Sequence, residues 1–332
     1  MSSTPPRPRA LFAMGRPHRD ALFPRAAIDR LTRLVDIEPD LVAEDFDHVP
    51  HLAAVELLIT SWGCRPLDDA VLARMPALKA VVHAAGSVKH HVTEACWERG
   101  LHVSTAAAAN AEYTLAAILF ANKRVLEIGG LYREHRDALD WAAHFPGFGN
   151  YRRTIGLVGA SLVGRRVLEL LRPHAFDILL ADPHLDPEAA RSMGARLVEL
   201  DELLAVSDVV SLHAPALPET YHLLDARRLS LLRDGATLVN TGRGSLIDTA
   251  ALTAEALSGR IHAVLDVTEP EVLPAASPLY ALPNVLLTPH IAGSLGGELA
   301  RITRSALDEV ERYCAGREFA YPVNRAALTT SA

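Results

Sequence analysis

The sequence predicts an α/β fold built from two doubly wound parallel sheets. Short apolar runs alternate with amphipathic helical patterns, which is the order expected when covering helices join parallel strands. Two groups of apolar runs, separated by a long helical stretch, indicate one sheet in each half of the chain. With 332 residues, the chain is long enough for two domains and a large buried core.

Strands are predicted where short apolar runs end in polar or glycine-containing segments. They are residues 10–14, 55–60, 78–85, 154–158, 177–181, 208–212, 237–240, 263–267 and 285–288. Helical spacing of apolar residues predicts helices at residues 26–35, 68–75, 112–136, 162–171, 200–206 and 298–314. We expect the long helix to be broken only at Gly129 and Gly130. We expect the last helix to return to the first domain, which makes that domain discontinuous.

Bulk composition argues against several classes of function. The net charge of −7 disfavours a nucleic-acid partner, because phosphate binding requires a basic surface. Cys64, Cys96 and Cys314 are far apart, which predicts neither a disulfide framework nor a zinc site and indicates a cytoplasmic protein. No apolar stretch reaches membrane-spanning length, and the polar, proline-rich start, residues 1–9, is expected to be a disordered tail.

An arginine, a carboxylate and a histidine follow the last three predicted strands. Arg243 follows the first of these strands, Glu269 and Glu271 follow the second, and His290 follows the third. Ligands of open parallel sheets bind beyond the carboxyl ends of the strands. We therefore expect these side chains to lie at one rim.

These residue types match the chemistry of moving a hydride to or from a carbon that bears an oxygen. That oxygen must gain or lose a proton, and histidine suits the task because its ordinary pKa is about 6.5. A carboxylate beside the ring orients it and stabilises its charged form. Arginine binds a substrate carboxylate through two hydrogen bonds. We expect Gly242 and Gly244, on either side of Arg243, to allow close approach of a ligand. A solvated loop charge is the alternative for either glutamate.

A second motif predicts a dinucleotide-binding loop. Residues 154–164 read as a strand, a tight glycine turn and a helix start, with Ser161 at the middle position of the glycine fingerprint. The helix N-terminus suits a pyrophosphate through its free N–H groups and its dipole. Asp182 ends the next strand, where a carboxylate accepts ribose hydroxyls and repels a 2′-phosphate, so NAD is favoured over NADP. The alternative is that Asp182 is a turn or helix-capping residue before Pro183.

Three segments around the trio resemble the signature motifs of the D-isomer-specific 2-hydroxyacid dehydrogenases. Residues 239–248 (VNTGRGSLID) are similar to the arginine motif, residues 265–271 (LDVTEPE) to the glutamate motif, and residues 287–293 (LTPHIAG) to the histidine motif. Glu271 lies 28 residues after Arg243, and His290 lies 19 residues after Glu271. Both intervals fit the family, and they favour Glu271 over Glu269.

The resemblance implies a domain assignment and catalytic roles. A flavodoxin-like substrate domain would comprise residues 1–104 and 296–332, and a Rossmann NAD-binding domain would comprise residues 105–295. In reduction, His290 would donate the proton and Glu271 would hold the imidazolium. Arg243 would bind the substrate carboxylate and polarise the carbonyl.

The resemblance also implies contacts to the cofactor and the substrate. Asp266 would contact the nicotinamide carboxamide, and the amides of Ser161, Leu162 and Val163 would face the pyrophosphate. The residues implied to bind NAD are Gly159, Ser161, Leu162, Val163, Gly164, Asp182, His213, Ala214, Pro215, Thr220, Thr241, Gly242, Arg243, Asp266, His290 and Gly293. The residues implied to bind the substrate are Gly86, Ser87, Val88 and Arg243.

Two segments of the first domain depart from the family pattern. Family members carry a glycine-x-glycine loop followed by an acidic residue, but here Val88 replaces the second glycine and His90 replaces the acid. We expect these side chains to narrow or recharge the pocket, and Lys89, His90 and His91 to bind an additional acidic group; a solvated turn is the alternative. Residues 106–113, in the hinge region, are shorter than usual. No metal site is expected, because ligand spacing is poor among His83, His90, His91 and His102.

The function expected from these observations is NAD(H)-dependent interconversion of a small 2-oxo acid and its (R)-2-hydroxy acid. Glyoxylate, hydroxypyruvate or pyruvate-sized substrates fit this expectation. The alternative is a non-catalytic NAD-sensing scaffold of the same fold. The resemblance also implies a homodimer formed through the long helix and residues 141–151, in which Trp141 would reach toward the partner's cleft.

Overall fold

The structure is a computed structural model that describes residues 7–106 and 111–325. Residues 107–110 of the shortened hinge segment and the first six residues of the expected N-terminal tail lie outside the described residues. The strands are β1 Ala10–Ala13, β2 Val42–Ala43, β3 Leu57–Thr60, β4 Ala80–His83, β5 His102–Thr105, β6 Thr154–Val158, β7 Asp177–Ala181, β8 Arg196–Leu197, β9 Val209–Leu212, β10 Thr237–Asn240, β11 His262–Leu265, β12 Val285–Leu287 and β13 Pro322–Val323. The α-helices are α1 Arg16–Leu22, α2 Arg25–Leu34, α3 Asp69–Ala73, α4 Glu94–Glu98, α5 Ala111–Asn122, α6 Val125–His135, α7 Trp141–His144, α8 Leu162–Leu171, α9 Pro187–Ser192, α10 Leu200–Val206, α11 Ala226–Leu231, α12 Thr249–Leu257 and α13 Glu298–Cys314.

The described residues form two compact units, residues 7–106 with 294–325 and residues 111–293. Each unit is built around its own mainly parallel sheet with helices in the connections, which confirms the predicted fold class. None of the described helices combines the length and the hydropathy that a membrane span requires.

The sheet of the first unit has the strand order β13-β5-β4-β3-β1-β2. Its strands are parallel except for β13, which runs antiparallel to β5. The order β2-β1-β3-β4-β5 is that of a flavodoxin-like sheet. The carboxyl ends of β3 and β4 are neighbours, which places Thr60 beside His83 in the register of the two strands.

The last helix, α13, packs within the first unit. Ile302, Ala306 and Val310 repeat at one-turn spacing on α13 and are buried. Arg30 on α2 forms an ion pair with Asp308 on α13, with 2.7 Å between Nη2 and Oδ1. The chain therefore returns after the second unit to complete the core of the first.

The sheet of the second unit has the strand order β12-β11-β10-β9-β6-β7-β8, and all its neighbours are parallel. This is the Rossmann order, extended by one strand. The order reverses between β6 and β9. The loops that follow these two strands therefore border the crevice in which this fold binds its ligand.

The predicted long helix is two helices, α5 and α6. The break falls at Lys123 and Arg124, whereas Gly129 and Gly130 lie inside α6, so the predicted position of the interruption is wrong. Arg124 adopts a left-handed backbone conformation with φ of 52°, and its Nη2 donates a hydrogen bond to the carbonyl of Gly235. This tertiary contact accompanies the break, and the helix tolerates its two glycines.

Candidate active site

The trio predicted from the sequence lies beyond neighbouring strand ends of the second unit. Strands β10, β11 and β12 are adjacent and parallel, so their carboxyl ends share one edge of the sheet. Arg243 follows β10, Glu271 follows β11 and His290 follows β12. The sheet topology thereby gathers a guanidinium, a carboxylate and an imidazole at that edge.

The structure brings Glu271, and not Glu269, to His290. The Nδ1 atom of His290 lies 2.6 Å from Oε1 of Glu271, within strong hydrogen-bond distance. Glu269 instead lies beside His222, with 3.4 Å between Oε2 and Nε2. The His290 and Glu271 side chains are about half exposed, at 48% and 59%. A hydrogen bond through Nδ1 leaves Nε2 of His290 as the ring nitrogen that can exchange a proton with a bound molecule.

Asp266 holds the segment that carries His290. Its Oδ1 accepts hydrogen bonds from the Thr288 hydroxyl at 2.6 Å and the Ile291 amide at 2.8 Å, and its Oδ2 accepts the Ala292 amide at 2.9 Å. Its backbone carbonyl accepts the His290 amide at 2.9 Å. Because His290 has a left-handed φ of 55°, this network stabilises a conformation that a histidine seldom adopts. The Asp266 carboxylate, expected to face the nicotinamide, already accepts three protein donors.

Arg243 lies in a turn that the Asn240 side chain stabilises through two hydrogen bonds. The Asn240 side chain accepts the Gly242 amide at 3.1 Å and donates to the Arg243 carbonyl at 2.8 Å. The guanidinium of Arg243 donates through Nη1 to the Gly242 carbonyl at 2.7 Å. Burial lowers the pKa of Arg243, and the negative charge of Glu271 opposes that shift.

Packing within the protein excludes a side chain at Gly244 and leaves little room for one at Gly242. A Cβ at Gly244 would lie 2.1 Å from the carbonyl carbon of Thr268, and one at Gly242 would lie 3.2 Å from the carbonyl oxygen of Leu212. The sequence-based expectation was close approach of a ligand. That expectation stays a prediction, and the structure shows close contact of these glycines with the backbone of the neighbouring strand ends.

The glycine loop after β6 is shaped by contacts with the loop after β9. Gly159 has φ of 94°, and a Cβ there would lie 2.6 Å from the amide nitrogen of Ala214. A Cβ at Gly164 would lie 2.4 Å from the carbonyl oxygen of Gly159. Ser161, at the middle position of the fingerprint, is the N-cap of α8, and its hydroxyl accepts the Gly164 amide at 3.3 Å. Its φ of −60° requires no glycine.

The N-terminus of α8 has the donors that a pyrophosphate needs. Among the described residues, the amides of Leu162 and Val163 donate to no protein group. The Leu162 side chain is exposed, so this helix end faces solvent. Free amides at the positive end of a helix suit an anion, and the residues present therefore fit a dinucleotide.

Asp182 makes the turn contact of the alternative interpretation and a second contact with the glycine loop. Its Oδ1 accepts the His184 amide at 2.9 Å, the turn interaction that the alternative interpretation predicts. Its Oδ2 accepts the Ala160 amide at 2.7 Å and so ties the end of β7 to the glycine loop. The carboxylate therefore lies at the glycine loop while it also stabilises its own turn.

The loop after β9 is held by buried polar contacts. The His213 ring bonds through Nε2 to the Ser211 hydroxyl at 3.0 Å, and its amide donates to the Val158 carbonyl at 2.7 Å. Burial lowers the pKa of His213 to about 4, which keeps the ring neutral. Thr220 donates to the Pro215 carbonyl at 2.6 Å. His213 thus holds the end of β6, where the glycine loop begins, and Thr220 stabilises the turn that follows β9.

Thr241 and Gly293 are two further residues of the predicted cofactor-binding set. Thr241 is buried and shares a 2.8 Å hydrogen bond with the hydroxyl of Thr114 on α5. Gly293 is buried at the end of the His290 segment.

The loop after β4, in the first unit, differs from expectation at two residues. Gly86 is exposed, and a Cβ there would meet nothing within 4 Å. Val88 is 2% exposed and packs in the core of the unit, so it does not narrow an open pocket. His91 is also buried and is unavailable to a second acidic group. Of the three basic side chains in this loop, only those of Lys89 and His90 extend toward solvent.

Several supporting residues carried no predicted role. Thr288 is also within 2.8 Å of the Tyr113 hydroxyl, so α5 contributes to the His290 segment. Ser211 also had no predicted role, and its hydroxyl contacts the ring of His213. The two residues are two positions apart in an extended segment, so their side chains project from the same face, and this spacing could have predicted the contact. Within the part of the chain that the structure describes, no three His, Cys, Asp or Glu side chains are arranged to hold a metal ion.

Comparison with known proteins identifies the family. The NAD-binding domain model of the D-isomer specific 2-hydroxyacid dehydrogenases matches residues 115–292. D-3-phosphoglycerate dehydrogenase of Mycobacterium tuberculosis is 33% identical over 75% of this chain, and the chain spans about half (48%) of that relative. Glyoxylate/hydroxypyruvate reductase B of Escherichia fergusonii is 31% identical over 84% of this chain and 87% of the relative.

Solved structures agree with this result. A protein from Thermus thermophilus is 32% identical, with a TM-score of 0.72 over 95% of this chain and 100% of the other. D-lactate dehydrogenase of Aquifex aeolicus, whose crystal structure contains NAD and lactic acid, is 27% identical, with a TM-score of 0.69 over 93% and 96%. The chain therefore belongs to the D-isomer-specific 2-hydroxyacid dehydrogenase family, and residues 115–292 lie in that family's NAD-binding domain.

Proposed function

We propose that this protein is an NAD-dependent dehydrogenase that interconverts a small 2-oxo acid and its (R)-2-hydroxy acid. The observation that carries the proposal is the 2.6 Å contact between Nδ1 of His290 and Oε1 of Glu271, beyond the carboxyl ends of a Rossmann sheet. NAD(H), when bound, supplies or accepts the hydride. The protein must then move one proton on the substrate oxygen.

His290 performs that proton transfer through Nε2. In reduction the imidazolium donates its Nε2 proton to the oxygen, and in oxidation the neutral ring accepts it. Glu271 orients the ring through Nδ1 and stabilises its charged form. Arg243 binds the substrate carboxylate and polarises the carbonyl. The amides of the Gly86, Ser87 and Val88 loop offer further donors to that carboxylate.

The chain's own residues hold the cofactor in this proposal. The amides of Ser161, Leu162 and Val163 bind the pyrophosphate, and Asp182 accepts the ribose hydroxyls and excludes a 2′-phosphate. Oδ2 of Asp266, which accepts one protein donor, retains a lone pair for the nicotinamide carboxamide.

We propose glyoxylate, hydroxypyruvate or a substrate of similar size. The supporting comparison is with glyoxylate/hydroxypyruvate reductase B, which is 31% identical to this chain over 87% of that relative.

The test follows NADH absorbance with glyoxylate, hydroxypyruvate and pyruvate. We expect turnover with at least one acid, and we expect His290→Ala to reduce kcat about 10²–10⁴-fold. Equal rates with and without the His290 imidazole would refute its role. Tight NADH binding without turnover of any acid would favour the NAD-sensing scaffold instead.

We further propose a cytoplasmic homodimer that associates through α5 and α6. These helices expose Phe120, Leu126 and Tyr132, and beside them lies a largely apolar groove of about 240 Å³. Exposed apolar clusters of this kind favour a protein partner. Analytical ultracentrifugation tests the proposal, with a dimer expected for the wild type and a monomer for Leu126→Glu. A monomeric wild type would exclude it.

A further inference from the structure

Three buried polar side chains meet beneath the Gly86–His91 loop of the first unit. The Thr60 hydroxyl lies 2.9 Å from Nδ1 of His83 and 3.1 Å from Nε2 of His91. Thr60, His83 and His91 are 0%, 3% and 2% exposed. A hydroxyl has one proton to donate, so Thr60 donates to one ring and accepts from the other. At this contact, one of the two histidine nitrogens therefore carries a proton and the other is unprotonated.

Thr60, His83 and His91 form a polar cluster in a buried region, where apolar side chains are usual. Burial lowers the pKa of His91 to about 4, with the charge of His90 as a smaller cause. Burial also holds the pKa of His83 well below its ordinary value; the charges of His91 and His90 add to this effect, and a hydrogen bond to the Ser87 backbone opposes it. Both rings are neutral near pH 7, so the cluster contributes directed hydrogen bonds rather than charge. Such bonds constrain geometry in a way that apolar contacts do not.

Members of the cluster form contacts at both the start and the end of the loop after β4. At the start, the Thr60 carbonyl accepts the Ala84 amide at 2.7 Å, and the Thr105 hydroxyl donates to the Ala85 carbonyl at 2.8 Å. At the end, the His91 carbonyl accepts the Leu67 amide at 2.8 Å. The Thr60 side chain connects these two ends, because it contacts the last residue of β4 and the last residue of the loop.

Between these ends lie the amides with which an anion can bond. Among the described residues, the amides of Gly86, Ser87 and Val88 donate to no protein group. The Val88 side chain is anchored in the core, so the direction of this backbone depends on how the two loop ends are held.

We propose that Thr60, His83 and His91 form a positioning set that holds the Gly86–Val88 amides in the geometry that binds the substrate carboxylate. This inference rests on the proposed function, which makes that carboxylate the ligand of the loop. The three residues touch neither the substrate nor the cofactor. Their effect is on the placement of donors, which binding of a small anion requires in advance.

The central experiment replaces Thr60 by valine and by serine. Thr60→Val conserves shape but removes the hydroxyl, which leaves a ring nitrogen on each histidine without its partner. We expect KM for the 2-oxo acid to rise about tenfold or more, while kcat and the Kd for NADH change less than about threefold. Thr60→Ser retains the hydroxyl and is expected to restore KM.

Thr303→Val is the matched control. Thr303 is a buried threonine of the same unit, on α13, whose hydroxyl donates to the Leu22 and Leu299 carbonyls. Its loss is expected to lower Tm without changing KM. His91→Leu provides a second variant should Thr60→Val not fold, since it conserves volume and leaves the Thr60–His83 bond in place; its KM is also expected to rise.

Binding of oxalate to the NADH-loaded protein gives a readout that needs no turnover. Calorimetry is expected to show weaker oxalate binding for Thr60→Val and His91→Leu than for the wild type and Thr303→Val. If both variants fold with wild-type KM and oxalate affinity, the cluster is only structural and the inference is overturned. A wild type that reduces no acid would instead reject the proposed function, and the oxalate comparison would still decide the role of the cluster.

Discussion

The backbone carbonyl of Asp266 accepts the amide of His290 at 2.9 Å, while the Asp266 carboxylate accepts the amides of the two residues that follow. One residue at the end of β11 thus holds three consecutive amides of the segment after β12. This arrangement stabilises the left-handed conformation of His290 and aims its ring at Glu271.

Asp266→Asn is expected to loosen this segment. An asparagine offers one oxygen where the carboxylate offers two, so a buried amide loses its acceptor. We expect the free energy of unfolding to fall by about 1–3 kcal/mol, and kcat to fall because His290 is less well placed. Urea denaturation and initial rates measure both effects. Asp234→Asn is the control, since its side chain is 88% exposed. Equal losses in the two variants would contradict the assignment.

Glu271→Gln and Glu269→Gln distinguish the two glutamates. The first removes the charge that stabilises the His290 imidazolium, and we expect kcat/KM to fall about tenfold, a modest figure because the pair is half exposed. The second affects only the contact with His222, and we expect activity within about twofold of the wild type. Steady-state kinetics at one pH make the comparison. A larger loss for Glu269→Gln would reverse the assignment.

Gly244→Ala is expected to destabilise the protein by about 1–3 kcal/mol through overpacking. The added methyl group would lie 2.1 Å from the backbone of Thr268, which cannot move without displacing the end of β11. Gly130→Ala, inside α6 with open space at its Cβ, is the control and should be neutral or stabilising by up to about 1 kcal/mol. Thermal unfolding of both variants checks this, and similar Tm values would disprove the packing explanation.

Acid is expected to destabilise the fold through His213. Its folded-state pKa of about 4 is below its ordinary value of 6.5, so the folded protein favours the neutral ring. The contribution of His213 is therefore complete above pH 6.5 and is lost as pH falls toward 4, by up to about 3 kcal/mol. The measurement is the free energy of unfolding across this range for the wild type and His213→Gln. A variant with an unchanged slope would show that other groups cause the pH dependence.

Two substitutions of Ser161 test what the serine contributes at the middle position of the glycine fingerprint. Ser161→Ala removes the N-cap of α8 and should cost about 1 kcal/mol of stability, whereas Ser161→Gly should cost only a few tenths. We expect Ser161→Gly to keep the Kd for NADH within about threefold, because the free amides of Leu162 and Val163 remain. Fluorescence titration with NADH measures this. Loss of binding in Ser161→Gly would mean that the hydroxyl itself contacts the cofactor.

Prediction from the sequence was most accurate where local pattern decides structure. β6, α8, β7, α10, β10 and α13 have the predicted bounds, because each is a single uninterrupted run of strand or helix periodicity. Arg243, Glu271 and His290 could be chosen because their motif neighbours and intervals are properties of the linear chain. The parallel sheet then placed their strand ends together, as the alternation of strands and helices implies.

Other features depended on contacts between distant segments. Helix periodicity continues through Arg124, but its left-handed backbone and its bond to Gly235 belong to the tertiary structure. The sequence does not reveal whether the side chain of Val88 lines a pocket or fills the core. Packing against distant segments places it in the core. Gly244 is required by the backbone of Thr268, a segment 24 residues away in the chain.

The sequence by itself determined the two α/β sheets, the glycine loop and the trio of side chains at the strand ends. Only the tertiary structure decided that Asp266 holds the His290 segment, that Glu269 pairs with His222, and that Thr60 joins two buried histidines. The physical reason is that periodicity and motif spacing record interactions between near neighbours in the chain. Hydrogen bonds across the sheet depend on strand order and register, which exist only once the chain has folded.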